Sequence, residues 1–413
     1  MTPCKFGGTF SNASLFYRSM LSRSVGIVGA VLALPTLAAT EPQSVDMGPV
    51  QFIPTLGVLQ RYDDNIFRQA AGEVESWVTM AQPQLQFIVE KDANVAALTY
   101  FGDYGRYSSG SDDNYVDHTL SLDARLEAND QHRFRFAGSM AKLHDARGEG
   151  SSEGVIASSR TEPDEYDANN LTGTYDFGRE SAMLGLAFTA GKTNVKYTNN
   201  LAETQFRDRD DTDMSVKFYG RLASRTRFFV ELARSDISYD TAPIVGDILD
   251  SKEQNVLLGA EWDVTGKTTG VIKVGRLSKD FDAASQGKST LTNWQANVSW
   301  SPRTYSTLSF TADKSPQETN GTGSFIKSTS YSVFWMHDWS SYLHSSLNTG
   351  MGKDAYENDQ RQDDRMSYGF SINYDFRTWL NAGAGYSFTE RESNIDGFDY
   401  DRGQFMLSMS MSL

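Results

Sequence analysis

Between Met366 and Phe376 apolar and polar positions alternate without a break. Met366, Tyr368, Phe370, Ile372, Tyr374 and Phe376 fall on one side, and Ser367, Gly369, Ser371, Asn373 and Asp375 on the other. After a turn at Arg377-Thr378 the alternation resumes, with Leu380, Ala382, Ala384, Tyr386 and Phe388 set against Asn381, Gly383, Gly385 and Ser387. A period of two marks an extended strand, whose successive side chains point to opposite faces. Each run therefore has one apolar face and one face of small polar groups. Eighteen runs of this kind are predicted, over 51–61, 77–90, 94–107, 114–128, 132–145, 166–177, 182–197, 207–222, 226–240, 252–264, 268–281, 288–301, 304–315, 325–338, 341–356, 363–376, 379–392 and 400–413. Sixteen or twenty strands also fit the pattern.

The connections are of two kinds that alternate along the chain. Tight turns fall at Lys91-Asp92-Ala93, Asn129-Asp130-Gln131, Thr265-Gly266-Lys267, Pro302-Arg303 and Trp339-Ser340; between them lie longer Asp-, Ser-, Gly- and Asn-rich segments such as 147–165, 241–251, 317–324 and 393–399. Short turns at one rim and long loops at the other are the asymmetry of an outer-membrane barrel with periplasmic turns. Tyr100, Phe101, Tyr104 and Tyr107, the pair Trp294 and Trp300, and Phe334, Trp335 and Trp339 supply rings suited to the headgroup level. A soluble sandwich or propeller of this length calls for a domain break or a repeated blade motif, and the chain has neither. The fold class is therefore all-β, a transmembrane antiparallel up-and-down β-barrel of about 18 strands (16–20). Its last run, with Phe405, Leu407, Met409, Met411 and Leu413 on one face, resembles the assembly signal of such barrels but ends in leucine rather than an aromatic residue.

Composition places this barrel in a compartment. Lys5, Arg18 and Arg23 precede an apolar run over 25–37, and small residues follow at Thr36, Ala38 and Ala39, so residues 1–39 read as a signal peptide. The basic and apolar parts take ordinary lengths if translation starts at Met20. About thirteen apolar residues are too few for a membrane-spanning helix, which needs ~20. A short periplasmic leader is expected over 40–50 and the barrel over 51–413. The single cysteine, Cys4, lies in the signal, which leaves no disulfide or thiolate metal site beyond it. The net charge is −15, and loss of the signal removes only basic residues. An acidic chain of this kind is a poor partner for nucleic acid.

Short motifs then suggest a family. Gly57 followed by Tyr62-Asp63-Asp64-Asn65-Ile66-Phe67, then Pro83-Gln84-Leu85, Tyr104-Gly105-Arg106-Tyr107 and Asp113-Asn114-Tyr115, resemble the opening strands of the second family of outer-membrane β-barrel porins, found with exopolysaccharide and capsule genes. The resemblance spans nearly all of the chain beyond the signal and includes no catalytic motif. It implies a barrel of about eighteen strands that helps a secreted polysaccharide cross the outer membrane.

Chemistry is sparse. His118 and His132 read as flanking one tight turn and His337 and His344 another, with His144 apart. These are rim or interface histidines rather than a catalytic pair or metal site, because no helical metal-ligand spacing is present. There is no Gly-x-Ser-x-Gly elbow and no phosphate loop, so neither an enzyme nor a cofactor is expected. Acids cluster near strand ends, notably Asp63, Asp64, Asp208, Asp210 and Asp211. They read as an ordinary solvated loop with lipopolysaccharide cations nearby, with divalent-cation binding and screening of solutes at the mouth as the alternatives. Interspersed Arg207, Arg209, Arg361 and Arg365 are placed to pair with acids and stiffen the loops. The inward face is the expected working surface, with Gln295, Asn297, Ser299, Ser367, Ser371, Asn373, Asn381 and Ser387 as candidate lumen residues.

The sequence thus reads as an outer-membrane porin-like channel for export of an exopolysaccharide or capsular polysaccharide. Its expected partners are outer-membrane lipid and lipopolysaccharide, the polymer and a periplasmic export protein. A small-solute diffusion porin, or an enzyme or adhesin carried on a barrel, are the alternatives.

Overall fold

The structure is a computed structural model that describes residues 44–412 apart from 180, 224, 244, 245, 264 and 265. The signal expected over 1–39, with Cys4, lies outside the described residues. The strands are β1 (Val45–Met47), β2 (Val50–Asp63), β3 (Ser76–Lys91), β4 (Asn94–Tyr107), β5 (Tyr115–Asn129), β6 (His132–Asp145), β7 (Asp164–Phe177), β8 (Leu184–Tyr197), β9 (Arg209–Ala223) and β10 (Thr226–Tyr239). They continue with β11 (Ser251–Asp263), β12 (Thr268–Phe281), β13 (Lys288–Arg303), β14 (Ser306–Glu318), β15 (Phe325–Asp338), β16 (Leu343–Tyr356), β17 (Gln362–Arg377), β18 (Leu380–Ser393) and β19 (Tyr400–Ser412).

From β2 onward each strand pairs antiparallel with its sequence neighbour, and β19 returns to pair with β2. The sheet closes as an 18-stranded antiparallel barrel. Its strand ends lie within three residues of those read from the alternation, the largest difference being β14, which runs on to Glu318. The leader differs from a loose stub: Val45–Met47 pairs with Val50–Phe52 across a turn at Gly48.

The alternation decides which face goes where. Along β17 Phe370 is 49% exposed while its neighbour Ser371 is fully covered. Tyr368, Ile372 and Tyr374 share the outward row of Phe370. Moving such side chains out of water is worth about 1.5–3 kcal/mol each, so the outward rows hold the barrel in lipid. Trp300, Tyr305, Trp339, Tyr342 and Phe376 form an exposed aromatic girdle at the rim of short turns, the arrangement expected at a membrane interface. Three of the rings assigned to the headgroup level from sequence belong inside instead. Phe101 stands opposite Gln84, Tyr107 opposite Val78, and Phe334 opposite Asn348, all on the inward rows. A crowd of aromatics along one strand alternates like any other side chains, and only alternate members can meet lipid.

At the loop end part of the barrel interior is filled. Ile237, Tyr239, Leu277, Phe281 and Leu291 from adjacent strands pack with Phe325 and with Leu249 from the 240–250 loop. That end therefore carries apolar packing inside the ring of strands.

Candidate functional site

The inner wall mixes neutral and charged stretches. Through the middle of β15 to β19 most inward positions are small and neutral, including Ser330, Ser332, Ser346, Asn348, Ser371, Asn373, Gly383, Ser387, Ser408 and Ser410, while Phe334 shares the row and charged residues such as Asp354, Asp363 and Arg365 lie toward its loop end. Five of the residues expected to face the lumen meet here. Ser367 stands opposite Thr389, Ser371 opposite Gly385 and Asn373 opposite Gly383; Asn381 donates to Asp375 at 2.7 Å and Ser387 to Gln404 at 3.3 Å. Gln295, Asn297 and Ser299 also lie on the inward row, but on β13, opposite Asp313, Thr311 and Ser309. They belong to a separate stretch of wall. Between β6 and β12 the inward rows also carry paired charges, with Arg135 to Asp176 at 2.9 Å, Lys217 and Lys273 to Glu231 at 3.7 and 3.6 Å, and Lys279 to Glu253 and Glu318 at 3.1 and 2.7 Å, while those of β7 and β8 are again neutral, with Asn170 bonded to Thr193 and Thr174 to Thr189.

A long connection reaches across the mouth. Eighteen strands about 4.8 Å apart and tilted by about 40° make a ring about 35 Å across. The 146–163 loop, between β6 and β7, nonetheless reaches Asn320 beyond β14 and Arg391 on β18, so it spans the opening as a strap. Its near end packs on the β2–β3 and β4–β5 loops. Ala157 is fully buried with Ile66 and Phe67, Arg147 lies over the Phe67 ring at 3.9 Å and pairs with Asp113, and Glu149 pairs with Arg68. Gly148 fits here because its φ is +88° and a Cβ would fall 2.0 Å from the Phe67 carbonyl oxygen. The far end is held by one carboxylate: Glu153 accepts from Arg361 at 2.8 Å, Arg391 at 2.9 Å and Asn320 at 3.0 Å. Arg361 also donates to Asp363 at 2.6 Å and lies between the rings of Tyr356 and Phe398, at 4.5 and 4.0 Å. Burial opposes its charge, but the Asp363 hydrogen bonds and the Glu153 carboxylate outweigh burial and hold the guanidinium above its ordinary range.

The expected loop acids mostly turn out to be structural. Asp63 is fully covered on the inward row and accepts from Arg402 at 3.0 Å and Gln404 at 2.7 Å. Asp64 accepts from the Gly403 N–H at 2.7 Å, and Asn65 donates to the Asp401 carbonyl at 2.8 Å. The Tyr62-Asp63-Asp64-Asn65 segment thus clasps the first barrel strand to the last. Asp208 accepts from the Tyr197 N–H at 2.7 Å, and burial pushes its carboxyl up against that hydrogen bond. Asp211 pairs with Arg209 at 3.3 Å on the inward row. Asp210 points outward, 3.6 Å from Lys192. These acids are neither a solvated fringe nor a shared cation site: among the described residues no group of three or more His, Cys, Asp or Glu side chains could hold a metal ion. Pairing of the interspersed arginines does occur, with Arg207 to Asp145 at 2.7 Å and Arg365 to Asp354 at 2.7 Å.

Beyond the geometry, the family described as "Putative beta-barrel porin 2" matches residues 39–413. The chain belongs to that family. No curated protein matches it. Among solved structures it is similar to Pseudomonas aeruginosa OpdK with vanillate, at 14% identity and a TM-score of 0.48, over 88% of this chain and 99% of that one. OccK5 (OpdH) of the same organism, at 14% and 0.45, covers 88% and 98%. OccK2 (OpdF) in complex with glucuronate, at 12% and 0.46, covers 88% and 98%. The family is one of porins, channels through the outer membrane.

Within this porin the histidines are scattered. His118 is not at the turn it was expected to share with His132; it lies toward the loop end of β5, bonded to Tyr100 at 2.9 Å. His132 bonds Tyr175 at 2.7 Å, His344 sits between Asp338 at 2.7 Å and Asp375 at 3.0 Å, and His337 rests against Trp339 with ring centres 4.4 Å apart. His144 stacks on Tyr115 and bonds Asp117 at 2.9 Å. The residue sequence reasoning missed is Glu153. Its only signal was the length of its loop and the glycines Gly148, Gly150 and Gly154 within it.

Proposed function

We propose that this porin conducts a secreted polysaccharide outward across the outer membrane, after export directed by the signal over 1–39. The observation that carries the reading is the neutral stretch of wall through the middle of β15 to β19. Serine and asparagine side chains both donate and accept, so a hydroxyl-rich chain can exchange one contact for the next. Conduction needs contacts loose enough to release, and a wall without unpaired charge supplies them. The barrel has no nucleotide-binding motif, so the driving force comes from a periplasmic export partner working with the synthesis machinery. Outer-membrane lipid and lipopolysaccharide surround it; nucleic acid is no partner. A small-solute diffusion channel is the second reading, favoured by the strap, which leaves less than the full barrel width open.

Deleting the gene and measuring polymer in the medium, on the cell surface and in the periplasm separates the two. Loss outside with retention inside, restored by the intact barrel, is the expected result. Unchanged secretion sinks the export reading and leaves the small-solute channel.

A further inference from the structure

A cleft of about 220 Å³ opens on the loop side, lined by the strap and by residues of the 198–208, 319–324, 357–361 and 394–399 loops. Its lining combines two kinds of surface. Phe206 and Phe398 contribute aromatic rings, and Gly321 leaves clearance beside the first, since a Cβ there would come within 3.0 Å of the ring. Around them are charges in balanced pairs: Arg160 with Glu203 at 3.1 Å, and Arg361 with Glu153 at 2.8 Å. The pairing is nevertheless incomplete. Arg361 is 1% exposed and its Nη1 has no hydrogen-bond partner; the Nε and Nη2 of Arg160 have none either. A buried guanidinium N–H without an acceptor is costly, and a small shift of either covered side chain toward an incoming oxygen relieves that cost.

We propose that this cleft binds a neutral saccharide unit. An acidic ligand would meet Glu153 and Glu203, and a cationic one would meet N–H groups already lacking acceptors. A neutral ring with several hydroxyls offers oxygens to Arg160 and Arg361, donors to the two glutamates, and a C–H face to Phe206. Identifying the saccharide with the exported polymer rests on the export reading; the cleft's chemistry does not.

The test is calorimetric titration of the detergent-purified full barrel with partial hydrolysates of dextran, mannan and galactan, all neutral, and of polygalacturonate, which is acidic. At least one neutral series should bind, with the acidic one at least tenfold weaker. Phe206→Ala should weaken neutral binding at least tenfold, and Phe206→Trp should restore it. Absence of neutral binding, equal or tighter acidic binding, or wild-type affinity in Phe206→Ala overturns the proposal. Neutral binding in a barrel whose deletion leaves secretion intact would end the export reading and keep the cleft. Lost secretion on deletion with no neutral binding would do the reverse.

Discussion

Replacing Glu153 by glutamine should free the strap from the far side of the mouth. The carboxylate holds two guanidinium groups, on Arg361 and Arg391, and its own side chain is 12% exposed. Removing one partner of a buried ion pair costs about 3–5 kcal/mol. Arg361 keeps Asp363 at 2.6 Å, so the lower end, about 3 kcal/mol, is the appropriate figure. With each 1.4 kcal/mol worth about tenfold, the ratio of released to latched strap should rise by about a hundredfold. Single-channel recording in planar bilayers reads this directly: Glu153→Gln should show a larger conductance, held for more of the time, and should admit larger neutral polymers than the wild type. Identical conductance and an identical polymer size limit would mean that the strap does not set the width of the passage, and the reasoning about the mouth would be wrong.

Gly148→Ala strains the other end of the same strap, because its φ of +88° and the Phe67 carbonyl leave no room for a Cβ; it should reproduce the wide, fluctuating conductance of Glu153→Gln. Asp63→Asn deprives Arg402 of its charge partner at the seam and should cost about 3–5 kcal/mol, seen as a lower temperature for the loss of folded-barrel mobility on SDS gels. An unchanged transition would show that the clasp does not hold the seam. Phe370→Arg places a charge on the lipid face and should cost about 2–4 kcal/mol in refolding into vesicles, whereas Ser367→Arg, on the opposite face of β17, should cost much less. Equal costs would refute the assignment of faces.

How much of this could be read from the chain depends on how local the cause is. Strand ends came out to within three residues because alternation and turn chemistry are properties of neighbouring positions. The inward row of β17 was legible for the same reason. Asp63 was misread because its nearness to a loop drew more attention than its parity, although it shares a row with Leu59 and Arg61, both buried. Phe101, Tyr107 and Phe334 were misplaced by the same neglect of parity. The strap was not legible at all: Glu153 meets Arg391, 238 positions away, and no local pattern encodes such a contact. The neutral stretch of wall from β15 to β19 lay between these cases. Serine-rich inward rows were visible, but their gathering on one side depends on which strands the ring brings together.

The clasp between Tyr62-Asp63-Asp64-Asn65 and β19 bears on how such a chain becomes a barrel. Every other pairing in the ring joins consecutive strands, so each can form as a hairpin while the rest of the chain is still arriving. The seam alone must bring together residues 339 apart, for which loop-closure entropy amounts to about 5 kcal/mol. That cost falls on a single late event, after the last strand has been delivered. Until then the sheet has two open edges, and the unpaired edge of β2 is exposed to misassembly with another chain. The acids of this segment then read as assembly hardware: a fastener at the first edge that waits for the final strand and locks the ring when it comes.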